Sequence, residues 1–225
     1  MCGRYVLGLT EEGLRTLFSI DEAVPWAPRY NIAPTQLVPI LRIGKSGARE
    51  ALLARWGLIP SWAKDPSIGN RMINARVETV AEKPAYRAAF KSRRCVVPTT
   101  GFYEWQKVEG RAKGPKQPFV FERADGKPYL LAGLWEVGSS ESGERVVTFT
   151  IITTEAVPPV AEVHERMPLI VPREAVPVWL DPAVEGAAAL ARVLEAAPVV
   201  LSARPVSTRV NNPREDDAEL VARVG

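Results

Sequence analysis

The chain has 225 residues, 46% of them hydrophobic and 24% charged, which is the composition of a soluble globular protein and not of a disordered or fibrous one. Its net charge of +3 permits contact with nucleic acid without requiring it. No apolar run approaches the ~20 residues that cross a bilayer. Two cysteines and one histidine are too few for a disulfide framework or a common zinc site.

The motifs of several enzyme classes are missing from the sequence. It contains no phosphate-binding GxxxxGKS loop, no GxGxxG dinucleotide turn and no GxSxG nucleophile elbow. The first residues also lack the basic start and apolar run of a signal peptide. We therefore expect a protein without cofactor or metal, in a reducing cytoplasmic compartment.

In chain order, the first predicted element is a short amphipathic helix in TEEGLRTLFSI, with Thr10 as its N-cap. A proline-rich coil follows. Residues 38–43 and 50–60 then predict paired strands around a charged turn. Residues 77–90 predict one or two helical turns before their proline and a short helix after it.

The middle of the chain is rich in β-branched and aromatic residues separated by Gly, Pro and charged turns, a pattern that predicts consecutive strands. These segments are RCVVPT, GFYEWQKV, PFVFER, YLLAGLWEVG and VVTFTIITT, with GRAKGPKQP at 110–118 as a hairpin loop. In the final third, the predicted helices are REAVPVWL and GAAALARVLEAA, and the predicted strand is PVVLSARPV. No repeat or long linker divides the chain. We predict one α+β domain over residues 1–225, with a mostly antiparallel, barrel-like β core and peripheral helices.

The position of Cys2, directly after Met1, allows two interpretations. The plain one is a small residue near an unimportant end. The functional one requires that Met1 be removed, which leaves an α-amine and a thiol on one residue. The amine, with an ordinary pKa of ~7.7–8.0, can form an imine with an aldehyde, and the thiol can then close a five-membered thiazolidine ring on the same carbon.

Two further residues have the chemistry of proton transfer. Glu104 shares its predicted strand face with Phe102 and Gln106, and a carboxyl among aromatic residues tends to have a raised pKa. The alternative is an exposed glutamate paired with a lysine. His164 is the one side chain whose ordinary pKa suits proton transfer near neutrality. The alternative there is a structural histidine.

Three more residues suit contact with a ligand. Asn74, in MINARVET, offers a donor and an acceptor, and Arg76 points the same way in an extended chain. Arg76 suits a phosphate group, although a carboxylate inside the protein would suit it equally. Trp62 lies in a loop bounded by Pro and Ser, where a large aromatic side chain either packs against the protein or stacks on a ligand such as a base.

Several short stretches occur in a characteristic order: MCGRY, RYNIAPTQ, WGLIPSWA, INARVET, GFYEW, IITT and HERMP. Together they resemble the SRAP family, named for SOS-response-associated peptidases, and the resemblance continues to PVSTRVNN near the end of the chain. It implies a sensor and shield of abasic sites in single-stranded DNA, which captures the ring-opened aldehyde in a thiazolidine DNA–protein cross-link.

The resemblance also implies roles for individual residues. Cys2 matches the cross-linking nucleophile, and Asn74 matches the amide that orients the reacting groups. Glu104 matches the carboxyl that assists opening of the sugar ring. His164 matches the histidine that handles protons in Schiff-base formation and in reversal of the cross-link.

Residues of a DNA-contacting groove are implied as well. They are Arg4, Asn31, Trp62 and Arg76, with Thr153 at the rim of the site. The expected partner is single-stranded DNA with abasic sites, bound by a monomer at the bacterial nucleoid or replication fork. Two alternatives stay open: a cysteine-type (auto)peptidase that uses Cys2, and a non-covalent single-stranded DNA-binding module.

Overall fold

The computed structural model of the chain describes residues 2–22, 24–106 and 116–224. Its strands are β1 (Tyr5–Leu7), β2 (Arg29–Ile32), β3 (Leu37–Ile43), β4 (Arg49–Trp56), β5 (Asn74–Arg76), β6 (Arg94–Thr99), β7 (Gly101–Gln106), β8 (Gln117–Arg123), β9 (Tyr129–Ser139), β10 (Arg145–Glu155), β11 (Arg166–Pro168), β12 (Ile170–Val171) and β13 (Leu201–Pro205). Its α-helices are α1 (Glu11–Phe18), α2 (Arg87–Ser92), α3 (Val176–Leu180) and α4 (Gly186–Glu195). Short 3-10 helices lie at Pro66–Arg71, Val160–Glu162, Arg173–Ala175, Thr208–Asn211 and Ala218–Val221.

Five strands close into a barrel in the order β10, β4, β3, β6, β9 and back to β10. Neighbouring strands are antiparallel except for β4 and β10, which run parallel with Arg55 opposite Thr148. β5 also pairs in parallel with β10, while β11 and β12 extend the sheet at β10 and β9. Trp56 and Phe149 are fully buried on adjacent strands, with ring centroids 6.3 Å apart. The barrel thus has an aromatic centre.

A second, antiparallel sheet has the strand order β13, β8, β7, β1, β2. β1 lies inside this sheet, with Tyr5 opposite Ile32 on one side and Phe102 on the other. The pairing continues towards the N-terminus, where the amide of Tyr103 donates to the carbonyl of Arg4 at 3.0 Å. Because β1 is an interior strand, the first residues of the chain are held beside β7.

Both faces of β1 are covered. Tyr5 belongs to the main hydrophobic core. Val6, on the other face, packs in a smaller cluster with Val210 and Leu220. These two residues belong to the C-terminal segment, residues 206–224, which therefore closes over the sheet.

The predicted fold class is confirmed: the molecule is α+β, with a barrel-like core and few helices. The predicted first helix is also confirmed, since Thr10 caps α1 by accepting from the amide of Gly13. The predicted short helix after Pro84 is confirmed as α2, whereas residues 77–82 before it form hydrogen-bonded turns and no helix. The predicted loop at 110–118 lies largely outside the described residues.

Two strands near the N-terminus were not predicted. β2 falls in the proline-rich stretch that the sequence assigns to coil, and β1 has no alternating pattern. The amides of Tyr30 and Asn31 in β2 donate to the carboxylate of Asp216, a partner far away in the chain. Within the described ranges, no helix combines the length and apolarity needed to span a membrane.

Candidate functional site

Cys2 lies just before β1 and is fully buried. Its carbonyl oxygen accepts a hydrogen bond of 2.8 Å from Nδ2 of Asn74, so β5 holds the N-terminal segment in place. Burial raises the pKa of the Cys2 thiol well above its ordinary value, and the charge of Glu104 raises it further. The thiol is therefore protonated near neutral pH and needs a base before it reacts as a nucleophile.

β7 places Glu104 in the interior, 2% exposed, with Phe119 opposite it on β8. The alternative of an exposed strand glutamate is therefore wrong. Burial raises the pKa of Glu104 to about 7, so the carboxyl can both give and accept a proton near neutrality. The antiparallel pairing of β1 with β7, continued by the bond between the amide of Tyr103 and the carbonyl of Arg4, places Glu104 beside the segment that carries Cys2.

Asn74 belongs to β5, opposite Ile151 of β10. Its backbone carbonyl accepts a hydrogen bond of 3.2 Å from the hydroxyl of Tyr86, and its side-chain amide donates to Cys2. The side-chain oxygen Oδ1 is buried and has no hydrogen-bond partner among the described residues. A buried acceptor without a hydrogen-bond partner lowers the stability of the protein on its own. It can accept a hydrogen bond from a molecule bound beside Cys2.

His164 follows the 3-10 helix Val160–Glu162 and is half-buried. Nε2 of Gln106, at the end of β7, donates to the carbonyl of Glu162 at 3.1 Å. This bond ties the turn before His164 to the strand that carries Glu104. One side-chain hydrogen bond thus joins the strand of Glu104 to the turn that leads to His164.

The ring of His164 has a defined hydrogen-bonding state. Its Nδ1 accepts a bond of 3.0 Å from the backbone amide of Arg166, so the neutral ring carries its proton on Nε2. Burial lowers the pKa of His164, which favours this neutral form. After burial, the charge of Lys116 also affects both groups: it lowers the pKa of His164 and the pKa of Glu104.

Arg4 lies on the same side of β1 as the C-terminal segment. Its Nη1 donates to Oδ1 of Asn31 and to the carbonyl of Val210, both at 2.8 Å, and its guanidinium lies 6.0 Å from the ring centroid of Trp105. Asn31 is fully buried, and its Nδ2 donates to backbone carbonyls within residues 210–215. Both side-chain polar atoms of Asn31 thus bind within the protein, and its direct contact with DNA stays a prediction.

The other predicted DNA contacts also differ in how exposed their side chains are. Thr153 is fully buried, with Oγ1 3.4 Å from the carbonyl of Ala75, so its side chain does not reach the rim. Trp62, by contrast, is 59% exposed in its loop, and Arg76 is exposed at the end of β5. Trp62, Arg76 and the half-buried Arg4 are the ones accessible to a ligand.

Sequence reasoning missed three residues that the structure adds to this region: Trp105, Lys116 and Arg166. Arg166 lies two positions after His164, a spacing that puts both side chains on one side of an extended chain and could have indicated it. Lys116 was assigned to the hairpin loop, and only the register of β7 with β8 brings it near Glu104. Among the described residues, no group of three or more His, Cys, Asp and Glu side chains is placed to hold a metal ion.

The buried Cys2, the buried Glu104 and the neutral ring of His164 lie on one barrel-like α+β fold, and this combination defines a class of protein. The chain matches the family described as SOS response associated peptidase (SRAP) over residues 1–213, and it belongs to that family. The resemblance seen in the motifs is thereby confirmed.

Individual relatives are named for one activity. The chain is 38% identical to the abasic site processing protein YoaM of Bacillus subtilis, over 98% of this chain and 97% of that protein. It is 32% identical to the abasic site processing protein YedK of Escherichia coli, over 100% of both. It is 30% identical to the abasic site processing protein HMCES of Rattus norvegicus, over 95% of this chain and 70% of that protein.

Solved structures agree with the fold. A crystal structure of a protein from Bacteroides thetaiotaomicron has a TM-score of 0.85 over 99% of this chain and 100% of that one, at 24% identity. A second, from Bordetella bronchiseptica, has a TM-score of 0.76 at 26% identity, over 92% of this chain and 100% of that one. These similarities support the architecture described above.

Proposed function

We propose that this chain senses and shields abasic sites in single-stranded DNA by forming a covalent bond between Cys2 and the exposed sugar. The observation that carries the proposal is the surroundings of Cys2: its carbonyl is held by Asn74 at 2.8 Å, and its thiol lies within the electrostatic influence of the buried Glu104. The names of the relatives, abasic site processing proteins, support the same substrate.

The chemistry begins with the aldehyde that an abasic sugar presents at C1′ when its ring opens. Once Met1 has been removed, the amine of Cys2 attacks C1′, the aldehyde oxygen leaves as water, and an imine forms. The sulfur then adds to the imine carbon, and the thiol proton passes to the nitrogen, closing the thiazolidine. The balance is the loss of one water, and no oxidant or reductant is consumed.

The order of the two bonds follows from the pKa values. The ordinary pKa of an α-amine is ~7.7–8.0, so a substantial fraction is free base near neutrality. Burial keeps the Cys2 thiol protonated at the same pH. The amine therefore reacts first, and the thiol reacts when a neighbouring base accepts its proton.

The surrounding residues have distinct roles in these reaction steps. Glu104, with a pKa of about 7, protonates the ring oxygen as the sugar opens and accepts the thiol proton as the new ring closes. His164 donates a hydrogen bond from Nε2–H to the departing oxygen and so stabilises the charge that develops there. The buried Oδ1 of Asn74 accepts a hydrogen bond from the reacting sugar or amine, while its Nδ2 fixes Cys2.

DNA binding falls to the accessible residues. The exposed Arg76 and the half-buried Arg4 bind phosphate groups, and an unpaired base stacks on the exposed ring of Trp62. Asn31 contributes by holding Arg4, and Thr153 by pairing with β5. The chemistry is related to that of lyases and hydrolases: the bonds from C1′ to the aldehyde oxygen are replaced by one C–N bond and one C–S bond, and the oxygen leaves as water.

The test uses tag-free protein whose intact mass shows that Met1 is absent. It is mixed with a labelled single-stranded oligonucleotide that contains one abasic site and then run on a denaturing gel. We expect a shifted band whose mass equals protein plus DNA minus one water. Cys2→Ala keeps an amine but no thiol, so its adduct should appear only after borohydride reduction of the imine. Wild-type protein without Met1 that gives no adduct would contradict the proposal.

The same experiment separates the alternatives. A cysteine-type peptidase needs a thiolate, which the raised pKa of Cys2 disfavours; Cys2-dependent turnover of peptides without any DNA adduct would favour it instead. A non-covalent binding module would bind DNA equally well with Cys2→Ala and give no adduct with either protein.

A further inference from the structure

Arg166 connects a carboxylate outside the reaction site to the ring of His164. Its guanidinium donates to both oxygens of Glu78, at 2.6 and 3.0 Å, in a bidentate pair. Its Nη2 also donates to the carbonyl of Thr153 at 2.7 Å. The backbone amide of the same arginine donates to Nδ1 of His164 at 3.0 Å. One residue thus joins Glu78 to the imidazole.

The geometry makes the arginine side chain rigid. Its side chain is 13% exposed, while that of Glu78 is 49% exposed, so the pair lies at the edge of the site with the cation inside. Arg166 also pairs with Glu155 in the register of β11 with β10. An arginine held by two hydrogen bonds to a carboxylate and by a strand pairing has a fixed backbone, and its amide keeps one direction.

We propose that Glu78 is a positioning residue for His164: it clamps Arg166, and the amide of Arg166 in turn keeps the ring proton on Nε2 and the ring in one orientation. As far as it concerns rate, the inference rests on the proposed function. A wrong tautomer would present a lone pair where a proton donor is needed, which is why a group that only holds a histidine can change a rate strongly.

Several charged groups surround this connection. Besides its hydrogen bond from Arg166, the ring of His164 responds to the charges of the amino terminus, Glu165 and Lys116. Besides Arg166, Glu78 responds to that of Arg76. The test must therefore separate a positioning effect from a general change of charge.

A matched control is available in the β3–β4 hairpin. Glu50 pairs with Arg42 at 3.3 Å, and the two side chains are 44% and 15% exposed, close to the values for Glu78 and Arg166. Glu50→Gln thus removes the same charge from a similar pair. We expect it to leave both readouts below unchanged.

The first readout is independent of activity. His164 is the only histidine of the chain, so 15N NMR of tag-free protein reports the protonation of its two ring nitrogens without ambiguity. In the wild type we expect an unprotonated Nδ1 and a protonated Nε2 above the pKa of the ring. In Glu78→Gln the two nitrogen shifts should approach each other as the tautomers mix. Identical ring shifts in the variant and the wild type would overturn the proposal.

The second readout is a double-mutant cycle in the cross-linking reaction at saturating DNA. We expect Glu78→Gln to slow adduct formation about tenfold in the wild-type background, and less than about twofold when His164 is already replaced by Ala. Equal slowing in both backgrounds would mean that Glu78 does not act through His164. If the wild type forms no adduct, the proposed function fails while the NMR result still decides the positioning role.

Discussion

Replacement of Glu104 by Gln should make the protein more stable at alkaline pH. The side chain is 2% exposed, and burial raises the pKa of its carboxyl to about 7. Because the folded state then holds the proton more tightly than the unfolded chain, the carboxyl contributes most to stability at low pH. That contribution is lost as the pH rises towards and through the folded pKa. Gln keeps the shape of the protonated acid and has no charge to bury.

The size of this stability difference follows from how far the pKa of Glu104 is raised. An ordinary glutamate has a pKa of ~4.3, and each unit of difference is ~1.36 kcal/mol, so full ionisation of Glu104 costs about 3–4 kcal/mol of folding free energy. The free energy of unfolding of Glu104→Gln should therefore exceed that of the wild type by about 3–4 kcal/mol near pH 8.5, and by about 1 kcal/mol near pH 5.

Urea unfolding of both proteins across this pH range measures the difference directly, with Glu50→Gln as the exposed control. We also expect the variant to cross-link abasic DNA more slowly, because an amide cannot exchange protons with the sugar or the thiol. A gain in stability with a loss of reactivity is the signature of a buried group kept for chemistry. A difference in unfolding free energy that stays constant from pH 5 to pH 8.5 would refute the reasoning.

Three other substitutions test the fold and the DNA surface. Arg94 is 2% exposed and donates to the backbone carbonyls of Phe90 and Trp179 among others, so Arg94→Met should cost more than about 3 kcal/mol in urea unfolding by leaving buried acceptors unpaired. Trp62→Ala should leave the melting temperature unchanged and weaken single-stranded DNA binding by about 1–3 kcal/mol in fluorescence anisotropy, whereas unchanged affinity would place the ring outside the DNA path. Arg76→Ala should weaken binding of any sequence and lower the slope of log affinity against log salt by about one, and an unchanged slope would contradict a phosphate contact.

Much of the fold could be predicted from local patterns. The N-cap at Thr10 and the strands on either side of residues 44–48 follow from neighbouring residues, and the structure has both. β1 and β2 could not be predicted, because their stability comes from other parts of the chain. The amide of Tyr30 is satisfied by Asp216, and the face of Val6 is covered by the C-terminal segment. No pattern within a short strand reports such partners.

The candidate site, like the fold, could be predicted only in part. The motifs indicated the residue types at Cys2, Glu104 and Asn74, but the burial that raises the pKa of Cys2 and Glu104 comes from tertiary packing. The burial of Asn31 could not be read from RYNIAPTQ, because its amide binds carbonyls of the C-terminal segment. A polar residue in a turn-rich stretch is ordinarily exposed, but Asn31 is buried because its tertiary contacts satisfy its amide.

The reactivity of the N-terminal residue is thus set by the end of the chain as much as by its beginning. β1 is an interior strand because β2 pairs with it, and β2 is in turn fixed by the carboxylate of Asp216. An interior β1 keeps Cys2 away from water, which raises the pKa of its thiol. In the reaction proposed above, this makes the amine the first nucleophile. A frayed C-terminal segment would expose Cys2 and lower the pKa of the thiol towards its ordinary value, and under the same proposal the sulfur would then compete with the amine for the aldehyde.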